Sequence, residues 1–146
     1  MANNRTLTAA NAIIMIGVQG LYDTPRRLQG FAADNVTTVD PVTNAETSMG
    51  IDGRLSAGFV HNPIQQTITL QADSESVDMF EFWTSSQRQR RETYWAFGSI
   101  LLRATGKRYV MNRGVLTAAS LIPAINKTLQ PRQFTLVWQD VTPGPV

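Results

Sequence analysis

The chain has 146 residues, enough for one domain with its own core, and 42% are hydrophobic while only 16% are charged. Having no Cys and a single His, it excludes disulfides, thiolate metal sites, histidine clusters and a two-histidine proton relay. A net charge of +2 is too small to predict nucleic-acid binding by itself. Low charge among many Thr, Gln, Asn and Ser fits a β-rich chain whose polar faces meet other protein, and Arg, which outnumbers Lys, is the cation favoured at such contacts.

Met1 to Asn11 is small and polar, an arm expected to order only against a neighbour. Ala12 to Val18 is apolar and β-branched and predicts a short buried strand. It is too short to span a bilayer and lacks the flanks of a signal peptide. Leu21 to Pro25 reads as irregular, Arg26 to Ala33 as a second strand, Asp34-Asn35 as a turn and Val36 to Val39 as a strand. Asp40 to Asn44 is a Pro-containing connection, after which Ala45 to Ser48 resumes extension.

Met49 to Arg91 is the organising stretch. Gly50 to Val60, punctuated by Gly50, Gly53 and Gly58, and Ile64 to Gln71 read as two extended runs facing each other across the His61-Asn62-Pro63 break. The pattern of Thr67 to Gln71 alternates as a half-buried strand should. Asp73, Ser74 and Glu75 then start a helix, with Val77, Phe80, Trp83 and Gln87 on one face, widened by Met79 and Phe82. Cations at Arg88 to Arg91 match its C-terminal dipole.

Thr93 to Ala104 predicts an aromatic-rich strand bulged at Gly98, Thr105 to Arg108 a tight turn, and Tyr109 to Ile122 a returning strand bent at Asn112-Arg113-Gly114. Pro123 leaves Ala124 to Leu129 edge-like or irregular. The last strand starts at Pro131, alternating Phe134, Leu136 and Trp138 with Thr135, Val137 and Gln139, and the VTPGPV tail is expected to project beyond the fold.

Chemical motifs are weak throughout. Ala104 to Lys107 lacks the first Gly of a phosphate loop and lies between strands, so a plain turn is favoured. Asp34, Asp40, Glu46 and Asp52 lack calcium-loop spacing. His61 has no acid near it in sequence, and Ser48, Ser56 and Ser99 lack a nucleophile elbow. No enzyme and no cofactor is predicted. Arg88, Arg90 and Arg91, followed by Tyr94 and Trp95, form the one basic and aromatic cluster. Phosphate contacts with stacking are one reading, a dipole-matched helix end before a core strand is favoured over it, and an Arg-rich subunit contact fits the low charge best.

With these elements in place, the sequence resembles bacteriophage tail tube proteins. The residues that carry the resemblance are the ribbon SMGIDGRLSAGFV, the passage TITLQADSESVDMFEFW, and Leu121-Ile122-Pro123 followed by a Phe-Thr-Leu-Val-Trp strand. The resemblance covers most of the chain and rests on arrangement rather than on a signature. It implies a mainly β fold: two packed antiparallel sheets in a sandwich or barrel, one flanking helix, and a long ribbon that joins an oligomeric inner barrel. It also implies a single domain over residues 1–146, with arms at 1–11 and 141–146. Such subunits form homo-hexameric rings that stack into a virion tail tube, assembled in the host cytoplasm and independent of membrane. The tube encloses a tape-measure protein and passes DNA without sequence-specific binding; its other partners are sheath, baseplate and terminator proteins.

Carried over by position, the inner-barrel ribbon comprises Ile51, Arg54, Ser56, Gly58, Gln65, Thr67, Thr69 and Gln71. The parity that faces inward is open, because Gly53 and Gly58 can reset the register. By order alone, Asp40, Pro41, Asn44, Glu46 and Met49 fall in the inter-ring loop, while Arg88, Arg90 and Arg91 are subunit-contact candidates. A tail-tip or baseplate tube initiator and a nucleic-acid-binding module are the alternatives, and the contractile or non-contractile character of the tail stays open.

Overall fold

β-branched and aromatic runs bounded by Gly, Pro and Asn produce nine strands and one helix among the described residues, which are 12–29, 37–103 and 105–145 of a computed structural model. The strands are β1 (Ala12–Val18), β2 (Tyr22–Arg27), β3 (Thr37–Val39), β4 (Ala45–Met49), β5 (Leu55–Phe59), β6 (Ile64–Leu70), β7 (Ala96–Leu102), β8 (Lys107–Ala119) and β9 (Arg132–Pro145); the helix is α1 (Ser76–Arg90). Seven strands form one antiparallel sheet in the order β2-β1-β7-β8-β9-β6-β3, and β4 and β5 form a second, two-stranded sheet. The architecture is thus mainly β with one helix, a large sheet and a small one.

One face of the large sheet makes the core. Ile14, Ile16, Ala96, Ile100, Met111, Phe134, Leu136, Trp138, Ile68 and Leu70 are buried together with Val77, Met79, Phe80 and Trp83 of α1. Residues of β1 and β6, far apart in strand order, share this core, so the sheet curls around the helix. Its bends sit where register shifts, between Ala96 and Gly98 and between Leu116 and Ala118. Beside the first of these, Arg113 takes a positive φ of 49°. On α1, Phe80 stacks on Phe134 with centroids 4.5 Å apart, and Gln87 Nε2 donates to the Leu116 carbonyl at 3.3 Å, seating the helix over β8 and β9. Ahead of the helix, the Ser76 N–H donates to Ser74 Oγ at 3.2 Å, and Ser74 Oγ itself donates to the Gln29 carbonyl; Glu75, at the N-cap, makes no side-chain capping bond.

Several expectations are corrected. The two runs of the central ribbon do not pair: β5 pairs with β4, whereas β6 pairs with β9 and β3 inside the large sheet. The apolar residues of β6 alternate into the core, while β5 has no core neighbour to reach. Leu21 to Pro25 is not irregular, since β2 covers most of it and pairs with β1. Phe82 does not widen the buried helix face; it is exposed and meets the edge of Tyr22 at 6.0 Å. Residues 141–145 are not an arm: they finish β9 against the start of β8, with Val141 opposite Met111 and Pro145 opposite Lys107. The 1–11 arm, the 30–36 turn and strand start, Ala104 and Val146 lie outside the described residues.

Candidate functional site

The β4–β5 hairpin is the one named pair of strands in which every residue is exposed. Its pairs are Ala45–Phe59, Glu46–Gly58, Thr47–Ala57, Ser48–Ser56 and Met49–Leu55. Because side chains alternate along a strand, Ala45, Met49, Leu55, Ala57 and Phe59 share one face with Thr47, and Glu46, Ser48, Ser56 and Gly58 share the other. The hairpin is therefore amphipathic, and among the described residues its apolar face stays exposed, with Phe59 edge-on to the His61 ring at 4.7 Å between centroids. An isolated two-stranded ribbon is marginal in water, so such a face calls for a partner.

Local bonds fix the hairpin's two ends. At the tip, Gly53 has φ 81°, the Gly50 N–H donates to the Arg54 carbonyl at 2.9 Å, and the Arg54 N–H donates to Asp52 Oδ1 at 3.1 Å. Ile51 stands fully exposed there. At the base, the Val60 N–H donates to the Asn44 carbonyl at 3.0 Å and Asn62 Nδ2 to the Thr43 carbonyl at 2.9 Å. Asp40 and Pro41 lead in, both exposed, with the Asp40 N–H on the Gln65 carbonyl at 3.1 Å. The inter-ring candidates thus divide: Asp40, Pro41 and Asn44 form the root, and Glu46 and Met49 belong to opposite faces of β4.

The ribbon candidates divide as well. Ile51, Arg54, Ser56 and Gly58 are on the hairpin; Gln65, Thr67 and Thr69 lie on the face of β6 opposite the core, and Gln71 follows the strand. Gln65 is exposed and Thr67 half-buried, but Thr69 is only 9% exposed and so is covered within the subunit itself. On β6, Gln66, Ile68 and Leu70 face the core of the subunit.

A second exposed apolar surface was not singled out by the sequence reading. Leu121, Ile122, Ile125 and Leu129 project from the 120–131 loop, which borders an open groove of about 640 Å³ shared with Gln71, Ala72 and Asp73. This loop is built rather than loose. The Gln130 N–H donates to the Ala124 carbonyl at 2.9 Å, and Ile125 bridges Leu129. Arg132, 3% exposed, holds its base: Nη2 donates to the Ser120 and Leu121 carbonyls, and Nη1 pairs with Glu81 of α1, the one ion pair among the described residues.

The three helix-end arginines differ in their contacts. Arg88 lies beside Ser120 and Leu121. Arg90 donates to the Tyr94 hydroxyl at 3.0 Å, a bond that holds its guanidinium above its already high ordinary pKa. Arg91 is the left-handed residue that ends the helix. Trp95 is stacked instead by Arg113, at 4.2 Å. Among the described residues no group of three or more His, Asp or Glu is arranged to hold a metal ion, and no helix is long and apolar enough to cross a membrane.

A family model described as tail fiber protein gp32 matches residues 5–142. No curated protein is significantly similar in sequence. Among solved structures, a chain of the PVC sheath-tube complex of an extracellular contractile injection system, in the extended state, superposes with a TM-score of 0.66 at 14% identity, covering 98% of this chain and 94% of that one. A chain of the six-fold symmetrised anti-feeding prophage baseplate gives 0.64 at 10%, covering 100% and 99%. A chain of the anti-feeding prophage tube-terminating cap gives 0.63 at 13%, covering 100% and 95%. At these identities the likeness is one of fold, and it extends over whole chains.

Proposed function

This chain belongs to the tail fiber protein gp32 family, a structural component of a phage-like tail, and we propose that it is a subunit of the tail tube. In this reading, copies form hexameric rings that stack around a channel holding the tape-measure protein and passing DNA. Assembly takes place in the host cytoplasm, and sheath, baseplate and terminator proteins complete the tail. The observation that carries the reading is the β4–β5 hairpin, whose apolar face is exposed among the described residues and suits burial in an assembly. The whole-chain likeness to a chain of a sheath-tube complex supports it. So does the likeness in fold to a chain of the six-fold symmetrised anti-feeding prophage baseplate.

The mechanism is geometric. A strand edge or apolar ribbon that is a liability in a monomer is closed by a neighbour, and a closed ring leaves no edge free. Polar side chains on the outer face of β6, such as Gln65 and Thr67, then line the channel, where they neither grip nor repel a passing polyanion.

A second reading shares the fold: a tube initiator or terminator, favoured by the nearly equal likeness to baseplate and cap chains. Negative-stain electron microscopy across a concentration series separates the two. Hollow tubes with a regular axial repeat support the tube subunit; single rings that never stack support the initiator or terminator. Monomers or solid fibres at every concentration overturn both.

A further inference from the structure

We infer that the cleft between α1 and the end of β8 is a binding site for a small monocarboxylate. Its carboxylate is held by Arg88, Thr84 and Arg132, and its short apolar tail lies on Leu116 and Ala119. The cleft lies within one chain, so the inference is independent of the tube-subunit reading.

Charge comes first. Glu81, Arg88 and Arg132 line an open cavity of about 420 Å³ together with Thr84 and Ser85. Glu81 is the only acid in that lining, and it is already paired with Arg132. Arg88 is exposed, which puts it at the rim, and it makes no ion pair among the described residues. The cleft therefore holds one positive charge more than it neutralises. A monoanion balances that charge, and the flat fork of a guanidinium matches a carboxylate in shape.

Hydrogen-bonding capacity points the same way. Arg132, 3% exposed, directs Nη1 to Glu81 and Nη2 to the Ser120 and Leu121 carbonyls, but its Nε has no acceptor among the described residues. Thr84 Oγ1 is likewise buried without a partner. An unpaired buried donor is costly, so two of them on residues of one cleft mark a place rich in donors and short of acceptors. A carboxylate brings acceptors and no donors.

The tail follows from the adjoining surface. A second open cavity, of about 230 Å³, shares Thr84, Arg88 and Leu121 with the first and adds Leu116, Ala118 and Ala119. Gln87 also borders it, but its Nε2 is already engaged by the Leu116 carbonyl. The site is thus charged at one end and largely aliphatic at the other, and its size suits an acid of a few carbons.

Butyrate is the probe, titrated against the full chain dispersed below its assembly concentration and followed by saturation-transfer NMR on the ligand signals. Saturable binding with a Kd on the order of 1 mM is expected. Acetate, two methylenes shorter, should bind about tenfold more weakly, and neutral butyramide should not bind. Arg88→Gln, a change at an exposed position, is expected to weaken butyrate by about tenfold, and Thr84→Val severalfold. N-acetylvaline separates the two sources of such a group: binding tighter than butyrate assigns the site to the carboxyl end of a peptide, and weaker binding assigns it to a free acid. A signal that rises without saturating, butyramide binding as well as butyrate, or an unchanged Kd in either variant overturns the inference.

Discussion

The indole N–H of Trp138 donates a 2.8 Å hydrogen bond to the side-chain carbonyl of Gln66, and both side chains are buried. Gln66 Nε2 passes the network on to Thr37 Oγ1 at 2.9 Å, and that hydroxyl donates to the Thr67 carbonyl at 3.1 Å. One buried amide thus ties β9, β6 and the edge strand β3 together. Gln66→Leu fills the same space but leaves a buried indole N–H without an acceptor, which costs about 1–3 kcal/mol. Urea unfolding is expected to show a lower midpoint with an unchanged slope. A variant as stable as the parent would mean that the network contributes nothing net.

Arg132 makes a second buried polar knot, and its loss is expected to act on the loop more than on the sheet. Arg132→Met keeps an unbranched apolar side chain at the buried position but removes the donors to Ser120, Leu121 and Glu81 and the guanidinium over the Phe134 ring. Because Glu81 is 49% exposed and regains water, the cost is about 2 kcal/mol, below the ~3–5 kcal/mol of breaking a fully buried pair. Hydrogen exchange should quicken at Gln130 well before the amides of β8 respond. Uniform quickening would show that the arginine supports the whole fold instead.

Much of this architecture was legible in the chain. The β1 run, the Phe134-Leu136-Trp138 alternation and the Val77-Phe80-Trp83 helix face all follow from local periodicity, and all three are buried in the core. Pairing was not legible. Gly50 to Val60 and Ile64 to Gln71 are adjacent extended runs, yet β5 turns back on β4 while β6 joins β9, more than sixty residues away. Non-local pairing depends on tertiary packing that no window of sequence reports. The VTPGPV tail misled for a related reason: Pro and Gly weaken a strand, but here they sit at its end, opposite the start of β8. Gln66 was hidden because a polar residue on an apolar face looks like the solvent side until its partner, Trp138, is known. The 121–129 loop carried a signal that was passed over: Leu121 and Ile122 were read as the end of a strand, and Ile125 and Leu129 lay in the segment set aside after Pro123.

Gly114 lies directly across from Trp138 on the paired strand, and a Cβ at this position would meet the indole ring well inside contact distance. Gly114→Ala is therefore expected to displace Trp138, costing about 1–3 kcal/mol as overpacking does and weakening its bond to Gln66. Tryptophan emission should shift to longer wavelength as the ring gains water. Gly58→Ala is the control, since nothing lies within 4 Å of the added methyl. Equal losses in the two variants would point to backbone effects rather than to the indole.

The arginine stacks bear on whether this protein binds DNA. Arg90 lies over the half-buried Tyr94 and Arg113 over the exposed Trp95, and a net charge of +2 is too small to predict a strong nucleic-acid site. Purified chain is expected to bind duplex or single-stranded DNA no tighter than roughly 10⁻⁶ M at physiological salt, the range of non-specific phosphate contacts. Trp95→Ala should leave that affinity within about twofold, because no base stacks on a ring already covered by an arginine. Submicromolar affinity that falls steeply with salt and is lost in Arg90→Ala would support the nucleic-acid-binding reading. A channel for DNA works by the opposite property: it must let the polyanion slide, and tight phosphate contacts along its wall would slow every step of transit.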